Sequence, residues 1–146
     1  MSEEKFDFGS MVSAQMKTFR PGFKFPKSFN DFKNVESDPE KRKAAMIGYG
    51  IQMRTVLLKS FLNPAYAPNV EVVAVCDCDK VRAKAGAEQV NKAYNNNKCK
   101  VVYDFREVLK DPSIEIVCIG TPDHWHAYIA VEAMKHGKDV YCEKPL

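Results

Sequence analysis

Residues 42–146 predict an α/β domain on an open, doubly wound parallel sheet. Three observations carry that prediction. Strand-like apolar runs alternate with helical stretches in the order β-α-β-α-β-α-β-α-β. Ile114 to Ile119 is mostly apolar with no polar alternation, as in a parallel strand covered on both faces. The connections are short throughout, which suits right-handed crossovers that place helices on both faces of one sheet.

The elements follow in order. Residues 1–41 have a composition of their own, with seven of the nine phenylalanines, seven basic residues against seven acidic ones, and breaks at Pro21, Pro26 and Pro39. They are expected to form an irregular extension that buries its aromatic rings on the domain or on a neighbouring subunit. A disordered tail and a short partner-recruiting motif are the alternatives. Arg42 to Ile47 opens the folded domain as a strand that runs into Gly48-Tyr49-Gly50. Ile51 to Leu62 is a helix with apolar residues at 51, 57, 58, 61 and 62. Val70 to Cys76 is the second strand, ended by Asp77. Lys80 to Tyr94 is a helix whose apolar side reads Val81, Ala85, Ala87, Val90 and Ala93. Asn95-Asn96-Asn97 turns the chain into a short third strand, Val101 to Tyr103. Asp104 and Glu107 are spaced as a capping box for a helix that ends at Asp111-Pro112. After the fourth strand, Gly120-Thr121-Pro122-Asp123 breaks the chain, with Asp123 a candidate N-cap. His124 to His136 is a helix with Ala127, Ala130, Val131 and Met134 at helical spacing. Gly137 ends it, and Val140 to Cys142 forms a fifth strand.

Composition narrows the function. The chain has 146 residues, 45% of them apolar, enough for one domain with a real core. A net charge of +3, with basic and acidic residues interspersed, gives no footprint for nucleic acid. No apolar run approaches the roughly 18 residues of a membrane span, and no basic-then-apolar leader opens the chain. Five cysteines, an odd number without a CxxC pair, read as small buried hydrophobes in a reducing compartment. They lack the spacing of a structural zinc site, so no metal is expected and the address is cytoplasmic.

The first βα turn is where a doubly wound sheet binds a dinucleotide. Gly48 permits the tight turn, Gly50 lets the main chain approach a pyrophosphate, and the helix from Ile51 aims its N-terminal amides at the phosphates. Met53 stands where the fingerprint has its third glycine, so this helix should be pushed outward or follow a different path. Arg54 offers a positive charge beside it. Asp77, 27 residues after Gly50, ends the second strand with a carboxylate suited to an adenine-ribose diol. That favours NAD, with NADP left open by Lys80 and Arg82; capping of the next helix is the structural alternative for Asp77. The fourth strand should lie beside the first, across the topological switch point. Trp125 reads equally as a pocket wall or as core.

Thr121-Pro122, His126 three residues beyond Asp123, Gly137-Lys138 and Glu143-Lys144-Pro145 follow one another in an order and spacing that resemble the Gfo/Idh/MocA oxidoreductases. The resemblance covers Arg42 to Leu146. It implies a Rossmann-like NAD(P)-binding domain in an enzyme that oxidises a sugar or polyol hydroxyl. It places Thr121 and Pro122 along the cofactor, and it implies cofactor contacts for His126 and Glu143, with a structural role the alternative for His126. Lys144 becomes the catalytic residue, assisting proton transfer at the hydroxyl being oxidised, with a cis peptide before Pro145. Family members continue beyond this point into another helix and strand and a substrate domain, so the sheet is expected to be incomplete at its C-terminal edge. A homo-oligomer is expected for the full-length form. Two alternatives stay open: an NAD-dependent glycosidase of the same family, and a non-catalytic module acting through the N-terminal extension.

Overall fold

The computed structural model describes residues 41–146, so the Phe-rich extension lies, up to residue 40, outside the described residues. Five strands form one sheet in the order β3-β2-β1-β4-β5, every pair parallel. They are β1 (Arg42–Ile47), β2 (Val70–Cys76), β3 (Lys100–Val102), β4 (Ile116–Ile119) and β5 (Asp139–Cys142). The chain steps outward from β1 to β2 and β3, then returns to the other side of β1 for β4 and β5. The switch point therefore falls between β1 and β4, as expected. Among the described residues β5 has a partner on one side only.

The helices are α1 (residues 51–62), α2 (Lys80–Tyr94), α3 (Phe105–Lys110) and α4 (His126–Lys135). Burial explains why the strands lack polar alternation. On β1, Ala44 and Met46 pack with Met53, Leu57 and Leu58 of α1 and Val90 of α2. The intervening Ala45 and Ile47 pack with Val108 and Leu109 of α3 and Ile129 and Ala133 of α4. Successive side chains point to opposite faces of a strand, and here both faces are covered, so Ala44 to Ile47 are all apolar.

Two helices present a different face from the one the sequence pattern suggests. On α2 the buried residues are Ala83, Gly86, Ala87 and Val90, while Val81 is 77% exposed. Gly86 decides this: a Cβ there would lie 2.6 Å from Val75 Cγ1 and 2.8 Å from the Tyr49 ring. The helix lies so close to the sheet that only the bare side of Gly86 fits. On α4 the buried residues are His126, Ile129, Ala130 and Ala133, with Ala127, Val131 and Met134 turned outward. The helix is preceded by a 3₁₀ turn over Asp123–Trp125, and Asp123 caps neither element with its side chain. Asp104 does cap α3, accepting from the Arg106 N–H at 2.9 Å.

Polar ties fix the ends opposite the switch-point loops. Arg42 reaches Glu115 at 3.0 Å and Asp139 at 2.7 Å, joining the start of β1 to the segments entering β4 and β5. Lys138, only 7% exposed, donates through Nζ to the carbonyls of Asp111 at 2.6 Å and Ile114 at 2.7 Å. Burial pushes this ammonium's pKa below its ordinary value. The bonds stitch the entry of β5 to the α3–β4 loop. Lys138→Met keeps the apolar stem but leaves both carbonyls without their donor, an expected cost of about 1–3 kcal/mol. Chemical denaturation checks this, and an unchanged midpoint would show that water replaces the ammonium.

Candidate cofactor-binding site

The carboxyl ends of β1, β2 and β4 open onto a cleft of about 630 Å³. Its floor is the Gly48–Gly50 turn. Gly48 has φ +86°, and a Cβ there would lie 2.7 Å from the Thr121 nitrogen and 2.8 Å from its Cα. Glycine is thus needed twice over, for the backbone angle and for the approach of β4's terminal turn. Gly50 differs: a Cβ there would meet only the Gly120 carbonyl oxygen, at 3.8 Å. Protein packing does not demand a bare residue at Gly50, and its open side lines the cleft. Helix α1 begins at once, with Arg54 N–H bonding the Gly50 carbonyl at 3.0 Å. The amides of residues 51–53 precede that bond and have no intrahelical acceptor. They put the positive end of α1 at the cleft, next to Ile51 and Gln52 of the lining.

Met53 is fully buried and opens a π-helical stretch, Met53–Leu57, in which Leu58 N–H bonds the Met53 carbonyl five residues back. The wider turn is the different path expected of a helix with a bulky third fingerprint residue. The space comes from the neighbouring strand: a Cβ on Gly120 would sit 3.0 Å from Met53 Cε and 3.4 Å from its Cβ. The missing glycine of α1 is in effect supplied by Gly120, just past β4.

Asp77 lies at the end of β2 and lines the cleft. Its Oδ2 accepts from the Tyr49 N–H at 2.7 Å and its Oδ1 from the Asp79 N–H at 2.9 Å. Each oxygen keeps a second lone pair for a further donor. The α2 cap is Asp79, which accepts from the amides of Val81 and Arg82, so capping is not the task of Asp77. Asp77 also ties the glycine turn to β2, a contact that no local sequence pattern signals.

The far wall was largely hidden in the sequence. Cys78, Arg82, Tyr103 and Arg106 line it, and Trp125 closes it from the β4 side. Trp125 is 39% exposed and stands with Phe105 and Tyr128 in an aromatic cluster with ring centroids 5.9–6.2 Å apart. Arg106 lies over the Phe105 ring and pairs with Asp104 at 3.2 Å. Arg82 is only 3.9 Å from Asp79. Arg54 does not line the cleft. Burial, aided by the charge of Asp77, pushes the Cys76 thiol up to about 12, and burial does the same for Cys118. These two are inert small hydrophobes, as the sequence suggests. Among the described residues no cluster suited to a metal ion occurs, and no helix is long and apolar enough to cross a membrane.

Thr121 and Pro122 form the β4 lip. Thr121 Oγ1 is buried and has no hydrogen-bond partner, a state found at no other side-chain atom among the described residues. A buried orphan hydroxyl is costly, about 1–3 kcal/mol, until a ligand supplies its partner. This orphan, the open side of Gly50 and the free lone pairs of Asp77 together suit a dinucleotide. His126, Glu143 and Lys144 do not line the cleft. His126 is 1% exposed beneath the lip, its ring nitrogens 2.8 Å from the carbonyls of Thr121 and Pro145. Glu143 N–H extends the β4–β5 pairing to the Ile119 carbonyl at 3.0 Å. Lys144 follows, exposed and joined to Pro145 by a cis peptide.

Comparison with known proteins gives the family and the fold. The model of an oxidoreductase family, GFO_IDH_MocA with an NAD-binding Rossmann fold, matches residues 42–146. Inositol 2-dehydrogenase of Salmonella typhimurium is 35% identical over 107 residues, which cover 71% of this chain and 29% of that enzyme. Myo-inositol dehydrogenase of Lactobacillus casei, solved with NAD(H) and myo-inositol, superposes with a TM-score of 0.60 at 28% identity, over 73% of this chain and 29% of that one. KijD10, a 3-ketoreductase of Actinomadura kijaniata solved with NADP, shares the fold with a TM-score of 0.63 at 23% identity, over 73% of this chain and 31% of that one. The chain thus spans about three-tenths of the length of these relatives.

Proposed function

Because the chain belongs to the Gfo/Idh/MocA oxidoreductases, as their NAD-binding Rossmann domain, we propose that it holds NAD for the oxidation of a sugar or polyol hydroxyl. The observation that carries this reading is the cleft at the switch point, with an open Gly50, Thr121 and Asp77 lining one space. The first amides of α1 and Gly50 would take the pyrophosphate, Asp77 the adenine-ribose diol, and Thr121 with Pro122 the side nearest β4. NAD, when bound, supplies the hydride acceptor. Lys144 forms no ion pair or hydrogen bond among the described residues, so its Nζ is free to hydrogen-bond a substrate hydroxyl and assist its proton transfer. The inositol dehydrogenases among the relatives support a polyol or sugar as that substrate.

Calorimetric titration of the chain with NAD, NADH and NADP tests the reading. Saturable binding with NAD preferred is the expected result, and a folded sample that binds none of the three would refute it. In a longer form able to turn over, accumulation of NADH separates a dehydrogenase from a glycosidase that re-reduces its sugar. Asp77→Ala should weaken NAD by roughly tenfold or more, and NADP less, because the lost diol contact belongs to NAD. Equal losses for both would leave Asp77 only the task of tying Tyr49 to β2.

A further inference from the structure

The segment that carries Lys144 is held at two points. On its N-terminal side, Glu143 N–H donates to the Ile119 carbonyl at 3.0 Å. On its C-terminal side, the Pro145 carbonyl lies 2.8 Å from His126 Nδ1. The lysine itself is exposed and has no polar partner among the described residues. Its place is therefore set by its backbone, and the backbone by these two bonds. The other His126 nitrogen, Nε2, lies 2.8 Å from the carbonyl of Thr121, and Thr121 packs directly on Gly48. A continuous path thus runs from the glycine turn through Thr121 and the His126 ring to Pro145 and Lys144.

We propose that His126 is a positioning residue for Lys144. It clasps the lysine segment to the lip of the cofactor cleft, so that filling the cleft and placing the lysine are coupled. This inference rests on the dehydrogenase reading above for the task of Lys144, but the clasp itself is a property of the chain.

The residue type suits the task. The ring is 1% exposed, and its two nitrogens point in opposed directions from a rigid plane. A neutral imidazole has one N–H to give and the protonated ring has two. Coupling through such a link is reciprocal: whatever cofactor binding does to the lysine segment, ordering of that segment returns to cofactor affinity. An element that both sites bias is the physical requirement for coupling, and the clasp meets it with one buried ring whose nitrogens each lie 2.8 Å from a carbonyl.

Asparagine and glutamine separate the two bonds. An Asn amide nitrogen falls near the Nδ1 position and a Gln amide nitrogen near the Nε2 position. His126→Asn thus keeps a donor toward Pro145, and His126→Gln keeps one toward Thr121. The readout is the acylation rate of each lysine with acetic anhydride, followed by mass spectrometry with and without saturating NAD, with exposed Lys84 as the internal reference. In the unmodified chain NAD is expected to slow Lys144 acylation about tenfold, the equivalent of one lost hydrogen bond's worth of exposure. His126→Asn, which loses the donor toward Thr121 and so the link to the cleft, should lose that protection. His126→Gln, which loses the donor toward Pro145, should lose it too, and by reciprocity both variants should bind NAD up to about tenfold more weakly than the parent.

A folded chain of either variant with full protection overturns the proposal. If neither variant folds, the unmodified chain decides: titration with NAD should shift the His126 ring nitrogens and the Lys144 side chain with one dissociation constant in NMR spectra. A silent His126 ring then overturns the clasp. If the unmodified chain binds no NAD, the dehydrogenase reading fails separately. The clasp is then judged in the free protein, where His126→Gln should change the Lys144 rate relative to Lys84 and an unchanged ratio overturns it.

Discussion

Gly48→Ala is expected to lower NAD affinity by about thirtyfold or more, or to unfold the switch-point turn altogether. Two costs add. An L-residue at φ +86° gives up about 1–2 kcal/mol. The new methyl also meets main-chain atoms of Gly120 and Thr121 at 2.7–2.9 Å, an overpacking cost of about 1–3 kcal/mol. Neither can be relieved cheaply, because the Gly120 N–H is bonded to the Ile47 carbonyl at 2.9 Å and the Gly48 N–H to the Cys76 carbonyl at 2.8 Å. At about 1.4 kcal/mol per tenfold the sum of about 2–5 kcal/mol is roughly 1.5 to 3.5 decades. Gly120→Ala is the informative contrast. Its methyl would meet the far end of Met53 at 3.0 Å, a flexible thioether that can swing aside, so its cost should stay below about 1.5 kcal/mol. Calorimetry with NAD and a thermal melt on both variants check the pair. NAD binding by Gly48→Ala within threefold of the parent would show that the turn is not the phosphate floor.

Lys144→Ala is expected to separate binding from chemistry. In a longer form that contains the substrate-binding part, kcat should fall by about 10²–10⁴, the usual worth of a positioned acid–base group. NAD affinity should stay within about threefold, because Lys144 does not line the cleft and bonds no cleft residue. Steady-state kinetics beside a cofactor titration reads both quantities. An unchanged kcat ends the proposed role, whereas a parallel loss of NAD affinity would place the lysine in the cofactor site instead.

The order of elements, the five parallel strands, the switch point between β1 and β4, and the sites of Gly48, Gly50 and Asp77 were all legible in the sequence. They rest on local signals: apolar runs, glycines after a strand, an acidic residue at a strand end. The sequence also marked Met53 as the misfit of the fingerprint. Its accommodation was not legible, because the space comes from Gly120, a residue 67 positions later that the fold brings alongside. The faces of α2 and α4 were misjudged for a related reason. Small residues such as Gly86 and Ala133 carry weak hydrophobic signals, yet they are the ones that let a helix lie close on a sheet.

The same division holds for the site. The sequence alone determined which chemistry-bearing residues the chain has and on which strand ends they fall. Only the tertiary structure decided their partners: the Asp77 bonds to Tyr49 and Asp79, the orphan Thr121 hydroxyl, the wall of Arg82, Arg106 and Trp125, and the His126 ring between Thr121 and Pro145. Strand ends are fixed by a periodicity that each segment carries within itself. Hydrogen-bond partners and shared walls depend on which distant segments the sheet order sets side by side, and that is settled only when the whole apolar surface is buried at once.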